Sequence, residues 1–177
     1  MSAPQTPHWW DYSDRPAHLE AVIFSVDAIL ADPRADESLL AEVVWDLHSA
    51  GIRVGVVTDG HWPAVHRPVR ELFGDGAVEV LVSGDEVSRP KPDPEAYRHV
   101  LWQLGVRAAD AMAVEDSVPG LQSARAAGLT TVVVTAGRSV RDDFTGAAAV
   151  LSGRDAADQL SVHGCRRLLL GSQRLSA

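Results

Sequence analysis

The chain has 177 residues, a length typical of a single domain, and 46% of them are hydrophobic. Its formal net charge is −8, from 16 Lys and Arg against 24 Asp and Glu, and this acidic balance argues against nucleic acid as a partner. No apolar run is long enough to span a bilayer, no signal peptide is recognisable, and the single Cys165 excludes an intramolecular disulfide. We therefore expect a cytoplasmic protein with no membrane partner.

The chain begins with a segment that has no regular pattern. Residues 1–18 contain three prolines and the pair Trp9–Trp10, which predicts an irregular arm. The two tryptophans either fold back on the domain or form an exposed anchor for another subunit. We expect residues 19–160 to form the core domain and residues 161–177 to form a C-terminal tail.

Short apolar runs alternate with helical stretches through most of the chain. The predicted strands are Ala21–Phe24, Arg53–Thr58, Val78–Val82, Ala111–Val114, Thr131–Val134 and Ala147–Leu151. The predicted helices are Glu37–Ala50, Pro63–Phe73, Pro94–Leu104 and Pro119–Ala127, with one more after Gly153. This alternation indicates right-handed crossovers and a mostly parallel sheet, and therefore an α/β fold.

Polar side chains follow three of the predicted strands at the edge where a parallel sheet binds its ligands. They are Ser25 and Asp27 after the first strand, Thr58 and Asp59 after the second, and Glu115 and Asp116 after the fourth. Carboxylates at such an edge either complement the dipole of the following helix or hold a hard cation such as Mg²⁺. Thr58 and the backbone amides after it could hold phosphate oxygens.

One lysine stands out in the composition. All but one of the 16 Lys and Arg residues are Arg, and the exception is Lys91, in a proline-rich segment before the helix that leads to the fourth strand. This is either chance or a site that needs a compact ammonium rather than a planar guanidinium. An ammonium near Thr58 would neutralise a bound phosphate.

Four segments, taken in order, carry a more specific pattern. They are Phe24–Leu30 at the end of the first strand, Thr58 at the end of the second, Lys91–Tyr97 (KPDPEAY), and Glu115–Gly128, which starts EDSVPG and ends AAG. Together they resemble the four motifs of the haloacid dehalogenase-like hydrolase superfamily, in its β-phosphoglucomutase and phosphoglycolate phosphatase branch. The resemblance covers residues 20–160 and is strongest in the last two motifs.

The resemblance implies a three-layer Rossmann-like fold with strand order 6-5-4-1-2-3 and the first strand in the centre. It implies a Mg²⁺ ion held by Asp27, Glu115 and Asp116. It also implies a phosphate site formed by Thr58, Asp59 and Lys91, and explains the lone lysine. In this family the first Asp of a DxDGT motif attacks phosphorus and binds the metal, and the second Asp is the general acid and base.

The first motif departs from that pattern. Ser25 stands at the nucleophile position, Asp27 keeps the acid–base position, and Ala28 and Ile29 replace the Gly and Thr. A serine hydroxyl is a weak nucleophile without a base, and the missing carboxylate should weaken Mg²⁺ binding. We therefore expect a catalytically impaired phosphatase-like protein that still binds phosphate or a phosphorylated ligand. The alternative is a Mg²⁺-dependent phosphohydrolase that uses water or Ser25, with Asp27 as general acid and base.

The second departure is a missing cap. The branch usually inserts a helical cap between its first two motifs, whereas here only 31 positions separate Asp27 from Thr58. We therefore expect no cap domain and an open site. A second copy of the chain could cover such a site, which favours a homodimer.

Overall fold

The computed structural model describes residues 18–27, 30, 37–135, 142–152 and 155–174. Its strands are β1 (Ala21–Ser25), β2 (Arg53–Val57), β3 (Val80–Val82), β4 (Ala111–Glu115), β5 (Thr130–Thr135) and β6 (Ala149–Ser152). They form one six-stranded sheet in the order β3-β2-β1-β4-β5-β6, and every neighbouring pair is parallel. This is the predicted order read from the opposite edge, so the predicted α/β architecture with a central first strand is confirmed.

Helices cover both faces of the sheet. They are α1 (Glu37–Ser49), α2 (Trp62–Phe73), α3 (Glu95–Leu104), α4 (Val118–Ala126), α5 (Asp155–Gln159) and α6 (Val162–Arg174), with short 3₁₀ turns at Gly84–Glu86 and Ala108–Asp110. Helices α1, α2 and α6 pack on one face and α3 and α4 on the other.

Alternate residues of β1 belong to the two halves of the core. Val22 and Phe24 face the α1, α2 and α6 side, whereas Ala21 and Ile23 face α3 and α4. All four side chains are completely buried. A strand that is covered on both faces needs apolar residues at successive positions, which is why the strands read as continuous apolar runs in the sequence.

The C-terminal region differs from the expectation. Residues 161–177 are predicted to be a tail, but Val162–Arg174 form helix α6. Its Cys165 and Leu169 are buried in the same core cluster as Phe24. The core domain therefore continues past residue 160, because α6 supplies apolar side chains that cover β4 and β5.

The connection from β1 to β2 contains α1, and the described residues there hold no inserted domain. Over the same described ranges, no helix is both long and apolar enough to cross a membrane. The predicted arm with Trp9–Trp10, and Ala28 and Ile29 of the first motif, lie outside the residues that the structure describes.

Candidate functional site

The predicted site residues meet at the carboxyl edge of β1, β2 and β4. Ser25 is the last residue of β1 and Asp27 follows two positions later. Thr58 comes directly after β2, and its Oγ1 donates a hydrogen bond to Asp27 Oδ1 at 2.5 Å. The backbone N–H of Asp59 donates to the same oxygen at 3.1 Å. The strand ends therefore hold the Asp27 carboxylate in a fixed orientation.

The Lys91 ammonium lies between the ends of β1 and β4. Its Nζ donates to Ser25 Oγ at 2.9 Å and to Asp27 Oδ2 at 3.0 Å, and lies 3.3 Å from Glu115 Oε1. Only 3% of its side chain is exposed. Burial by itself lowers the pKa of Lys91, but the neighbouring carboxylates of Glu115, Asp27 and Asp59 outweigh that effect and raise it above its ordinary value. Lys91 is therefore a charged ammonium.

Glu115 is the last residue of β4 and is buried, and both of its carboxylate oxygens accept hydrogen bonds. Its Oε1 accepts a hydrogen bond from the Tyr97 hydroxyl and faces Lys91, while Oε2 accepts from the Asp116 backbone N–H at 3.2 Å and from Ser117 Oγ at 3.3 Å. Burial, reinforced by the adjacent Glu115 charge, raises the pKa of Tyr97 well above its usual range. The Tyr97 hydroxyl thus keeps its proton and acts as a donor.

Helix α4 packs its first turn directly onto Glu115. A Cβ atom placed on Gly120 would lie 1.9 Å from Glu115 Oε2, so a larger residue here would force the Glu115 carboxylate to shift. Ser117 caps the same helix, because its Oγ accepts a hydrogen bond from the Gly120 N–H at 3.1 Å. The fourth motif therefore positions the Glu115 carboxylate as well as starting the helix.

Ser25, Asp27, Thr58, Lys91 and Glu115, here called the strand-end cluster, are joined by direct contacts. The other two predicted residues lie at its border. Asp59 contributes its backbone N–H to Asp27. The residue as a whole is exposed, but the protein atoms around its carboxyl partly exclude water and raise the carboxyl pKa, although Lys91 opposes the shift. Asp116 is half-buried and contributes its backbone N–H to Glu115.

Sequence reasoning did not find the roles of Tyr97 and Gly120. Both residues lie inside motifs that carry the family resemblance, but the pattern does not say that Tyr97 is completely buried against Glu115 or that Gly120 leaves room for that carboxylate. A tyrosine placed six positions after the only lysine was the available signal.

Two of the three carboxylates that the resemblance assigns to Mg²⁺, Asp27 and Glu115, accept hydrogen bonds from groups of the protein, and the third, Asp116, follows Glu115 and is half-buried, so Mg²⁺ binding by these residues stays a prediction. Mg²⁺ requires near-octahedral oxygen ligands, most of them carboxylate or water. Ser25 offers a neutral hydroxyl, the Glu115 oxygens are engaged by Tyr97, Lys91 and the α4 turn, and Asp27 is bonded to Thr58, Asp59 and Lys91. Within the described part of the chain, no group of three or more His, Cys, Asp or Glu side chains is arranged to hold a metal ion.

Comparison with known proteins identifies the class of molecule. A family model described as haloacid dehalogenase-like hydrolase matches residues 3–128, and the chain belongs to this family. Protein CbbY from Cereibacter sphaeroides is 37% identical over 111 residues, which make up 61% of this chain and 48% of that protein. Hexitol phosphatase A from Escherichia coli is 38% identical over 90 residues, or 51% of this chain and 41% of that protein.

Solved structures share the same fold. CbbY from Rhodobacter sphaeroides in complex with phosphate superposes with a TM-score of 0.64 at 24% identity, covering 82% of this chain and 96% of that chain. The β-phosphoglucomutase from Clostridium difficile superposes with a TM-score of 0.66 at 14% identity, and the match covers 90% of this chain and 100% of that chain. These structures show that the chain shares the fold of CbbY and of a β-phosphoglucomutase. The chain spans about half the length of the curated relatives that it matches first.

Proposed function

We propose that this protein is a catalytically impaired, phosphatase-like member of the haloacid dehalogenase-like hydrolase family that binds phosphate or a phosphorylated ligand at the strand-end cluster. One observation carries the proposal. The hydroxyl of Ser25, which the motif resemblance aligns with the family nucleophile, accepts a hydrogen bond from Lys91 at 2.9 Å. The site therefore keeps its cation but presents no carboxylate to attack phosphorus.

Among the residues that the structure describes, none contacts Ser25 as a general base. In the part of the chain that the structure describes, no carboxylate or imidazole accepts a hydrogen bond from its hydroxyl, and Lys91 is a donor to it. Asp27, the carboxylate two positions along the chain, accepts hydrogen bonds from Thr58 and Lys91. A serine without a general base is a poor nucleophile, so attack through Ser25 is expected to be slow.

Phosphate binding is the function that this arrangement supports. Among the described residues, the Ser25 hydroxyl accepts a hydrogen bond from Lys91 and donates to no protein group, so it can donate to an anion that a carboxylate at this position would repel. Lys91 supplies a positive charge beside it, and Thr58 and Asp59 border the same edge. The related CbbY structure contains phosphate, which is the same class of ligand as the one we propose for this site.

A second candidate is an active phosphohydrolase in which Asp27 serves as general acid and base for a water molecule or for Ser25. The observation in its favour is that 34% of the Asp27 side chain is exposed at the open edge, so water reaches it. Relatives such as hexitol phosphatase A carry phosphatase names. This candidate requires hydrolysis by the wild-type chain, whereas the first does not.

The deciding experiment compares wild type, Ser25→Asp and Ser25→Ala in an aryl phosphate hydrolysis assay, with and without Mg²⁺. We expect little turnover by wild type and at least a tenfold rise in Ser25→Asp, equivalent to about 1.4 kcal/mol of barrier, because the variant regains both nucleophile and metal ligand. Calorimetric phosphate titration of the same preparations measures binding separately from turnover.

Robust wild-type hydrolysis would favour the second candidate. Ser25→Ala then separates its two forms, because loss of activity makes Ser25 the nucleophile and retained activity makes water the nucleophile. Wild type that neither hydrolyses the ester nor binds phosphate would contradict both candidates and leave Lys91 with a purely structural role.

A further inference from the structure

The segment that carries Lys91 is held in shape mainly by side chains. Residues 88–94, here called the Lys91 loop, lie directly before α3 and include three residues that have no N–H group, which are Pro90, Pro92 and Pro94. A loop with so few backbone donors depends on side chains for much of its hydrogen bonding. Within the loop, the Asp93 N–H donates to the Pro90 carbonyl at 3.0 Å.

Glu95, the first residue of α3, closes the Lys91 loop. Its Oε1 accepts a hydrogen bond from the Ser88 N–H at 2.9 Å, and its Oε2 accepts from the Arg89 N–H and from Arg89 Nε, both at 3.1 Å. The Glu95 N–H in turn donates to Asp93 Oδ1 at 3.0 Å, and the Arg89 guanidinium pairs with the same carboxylate at 3.1 Å. The Glu95 carboxylate therefore joins the beginning of the loop to its end.

Ser123 joins the closed loop to α4. Its Oγ donates to the Asp93 carbonyl at 2.6 Å, and its side chain has no solvent exposure. A buried hydroxyl needs a hydrogen-bond partner, and here the partner belongs to the Lys91 loop. Because the first turn of α4 packs onto Glu115, this bond fixes the loop relative to the carboxylate that Lys91 faces.

Lys91 reaches the strand-end cluster from this loop. Its Nζ lies 2.9 Å from Ser25 Oγ, 3.0 Å from Asp27 Oδ2 and 3.3 Å from Glu115 Oε1. These three partners are at the ends of β1 and β4, whereas Lys91 belongs to no strand or helix. A lysine side chain loses much rotamer freedom when it is held in one position, so its backbone must be placed by other contacts. The acidic groups at this edge outnumber the ammonium, and binding of an anion depends on where the ammonium is held.

We propose that Ser123 and Glu95 are positioning residues for Lys91. Glu95 closes the loop and Ser123 fixes the closed loop to α4, so that the ammonium stays in the strand-end cluster. In the described part of the chain, neither side chain bonds to a residue of that cluster. The consequence for phosphate affinity rests on the proposed function, whereas the protection of the Lys91 amine does not.

The test measures how often the Lys91 amine becomes accessible. Lys91 is the only lysine in the chain, so acetylation by an amine-reactive ester, followed by mass spectrometry of the peptide that contains it, gives a rate for this one side chain. Ser123→Ala removes the bond to α4 and should raise the rate about fivefold, as expected for the loss of one hydrogen bond. Glu95→Gln replaces one acceptor with an NH₂ group that faces a backbone N–H, and should raise the rate at least as much.

Each variant has a matched control. Thr131→Val removes another buried hydroxyl that donates to a backbone carbonyl, that of Leu129, outside the Lys91 loop. Glu71→Gln removes a carboxylate that is exposed on α2 and paired with Arg67. Both controls should be acetylated at the wild-type rate.

Equal rates in wild type, Ser123→Ala and Glu95→Gln would overturn the proposal. An equal rise in Thr131→Val would also overturn it, because Lys91 would then become accessible only when the whole domain unfolds. If Ser123→Ala does not fold, Glu95→Gln compared with Glu71→Gln still decides the question.

Calorimetric titration with inorganic phosphate keeps this proposal apart from the proposed function. Ser123→Ala should bind phosphate about fivefold more weakly than wild type, because the ammonium is held less firmly. Wild type that binds no phosphate, together with faster acetylation of Ser123→Ala, would contradict the proposed function alone. Wild type that binds phosphate, together with equal acetylation rates in all variants, would contradict the positioning roles alone.

Discussion

At the scale of single residues, the site depends on which side chains carry charge. Ser25 contributes none, Lys91 contributes one positive charge, and Asp27 and Glu115 are the carboxylates that it contacts. Removing one partner of a buried ion pair costs far more than the pair contributes, because the remaining charge stays buried and uncompensated. The charge balance of the cluster therefore constrains every substitution made in it.

Gly120 provides a residue-scale prediction about how firmly Glu115 is held. Gly120→Ala places a Cβ against Glu115 Oε2, a carboxylate that cannot move without losing Tyr97, Lys91 or Ser117. We expect this substitution to lower the free energy of unfolding by about 1–3 kcal/mol, as overpacking of a core does. Urea unfolding followed by circular dichroism measures the loss.

Gly171→Ala is the matched control. Gly171 lies within helix α6 and is exposed, and a Cβ there meets no atom within 4 Å. Alanine has the higher helix propensity, so the control should be unchanged or more stable by up to ~1 kcal/mol. Equal stability of the two variants would show that Glu115 has room to relax and is not fixed by α4.

The positions of the candidate site residues could be predicted because they follow from the strand ends, whereas the groups that these side chains contact could not. Ser25, Asp27 and Thr58 follow apolar runs, and a parallel sheet brings such positions to one edge. Glu115 faces Lys91 and Tyr97 rather than an open edge. This contact depends on how α3 and α4 pack on the same face of the sheet. Spacing along the chain does not encode that packing.

At the scale of elements, the strands were more predictable than the last helix. Continuous apolar runs mark strands that are buried on both faces, and all six predicted strands are present. Helix α6 was missed because Gly164 and Gly171 lower its helix propensity and the run Leu168–Leu170 hides its periodicity. Only its packing shows which leucines are inside, since Leu169 is buried and Leu170 is 48% exposed.

Cys165 gives an element-scale prediction for α6. Its side chain is completely buried, and burial raises the pKa of its thiol to about 12. Because the thiolate is the reactive form, native Cys165 should react with iodoacetamide at least about a hundredfold more slowly than in urea. Mass spectrometry of timed samples measures the rate, and the absence of any other cysteine makes it specific. Rapid labelling in native buffer would show that α6 detaches from the core.

At the scale of the whole molecule, the edge that carries the site has aromatic surface beside it. Helices in a parallel α/β fold run antiparallel to the strands, so the first turn of each helix lies at the carboxyl edge of the sheet. Trp62 is the first residue of α2, three positions after Asp59, and is 43% exposed. Trp102 lies late in α3, near the opposite edge, and is 78% exposed.

The predicted homodimer can be tested through these two tryptophans. If a second copy covers the open edge, Trp62 lies at or near the interface and Trp102 does not. Sedimentation velocity over a range of concentrations should give twice the monomer mass of 18.9 kDa for wild type. Trp62→Gln should weaken the dimer at least tenfold, because a buried aromatic is a common interface anchor, while Trp102→Gln should leave it unchanged. A mass of one chain at every concentration, or weakening by Trp102→Gln alone, would exclude a dimer that covers the site.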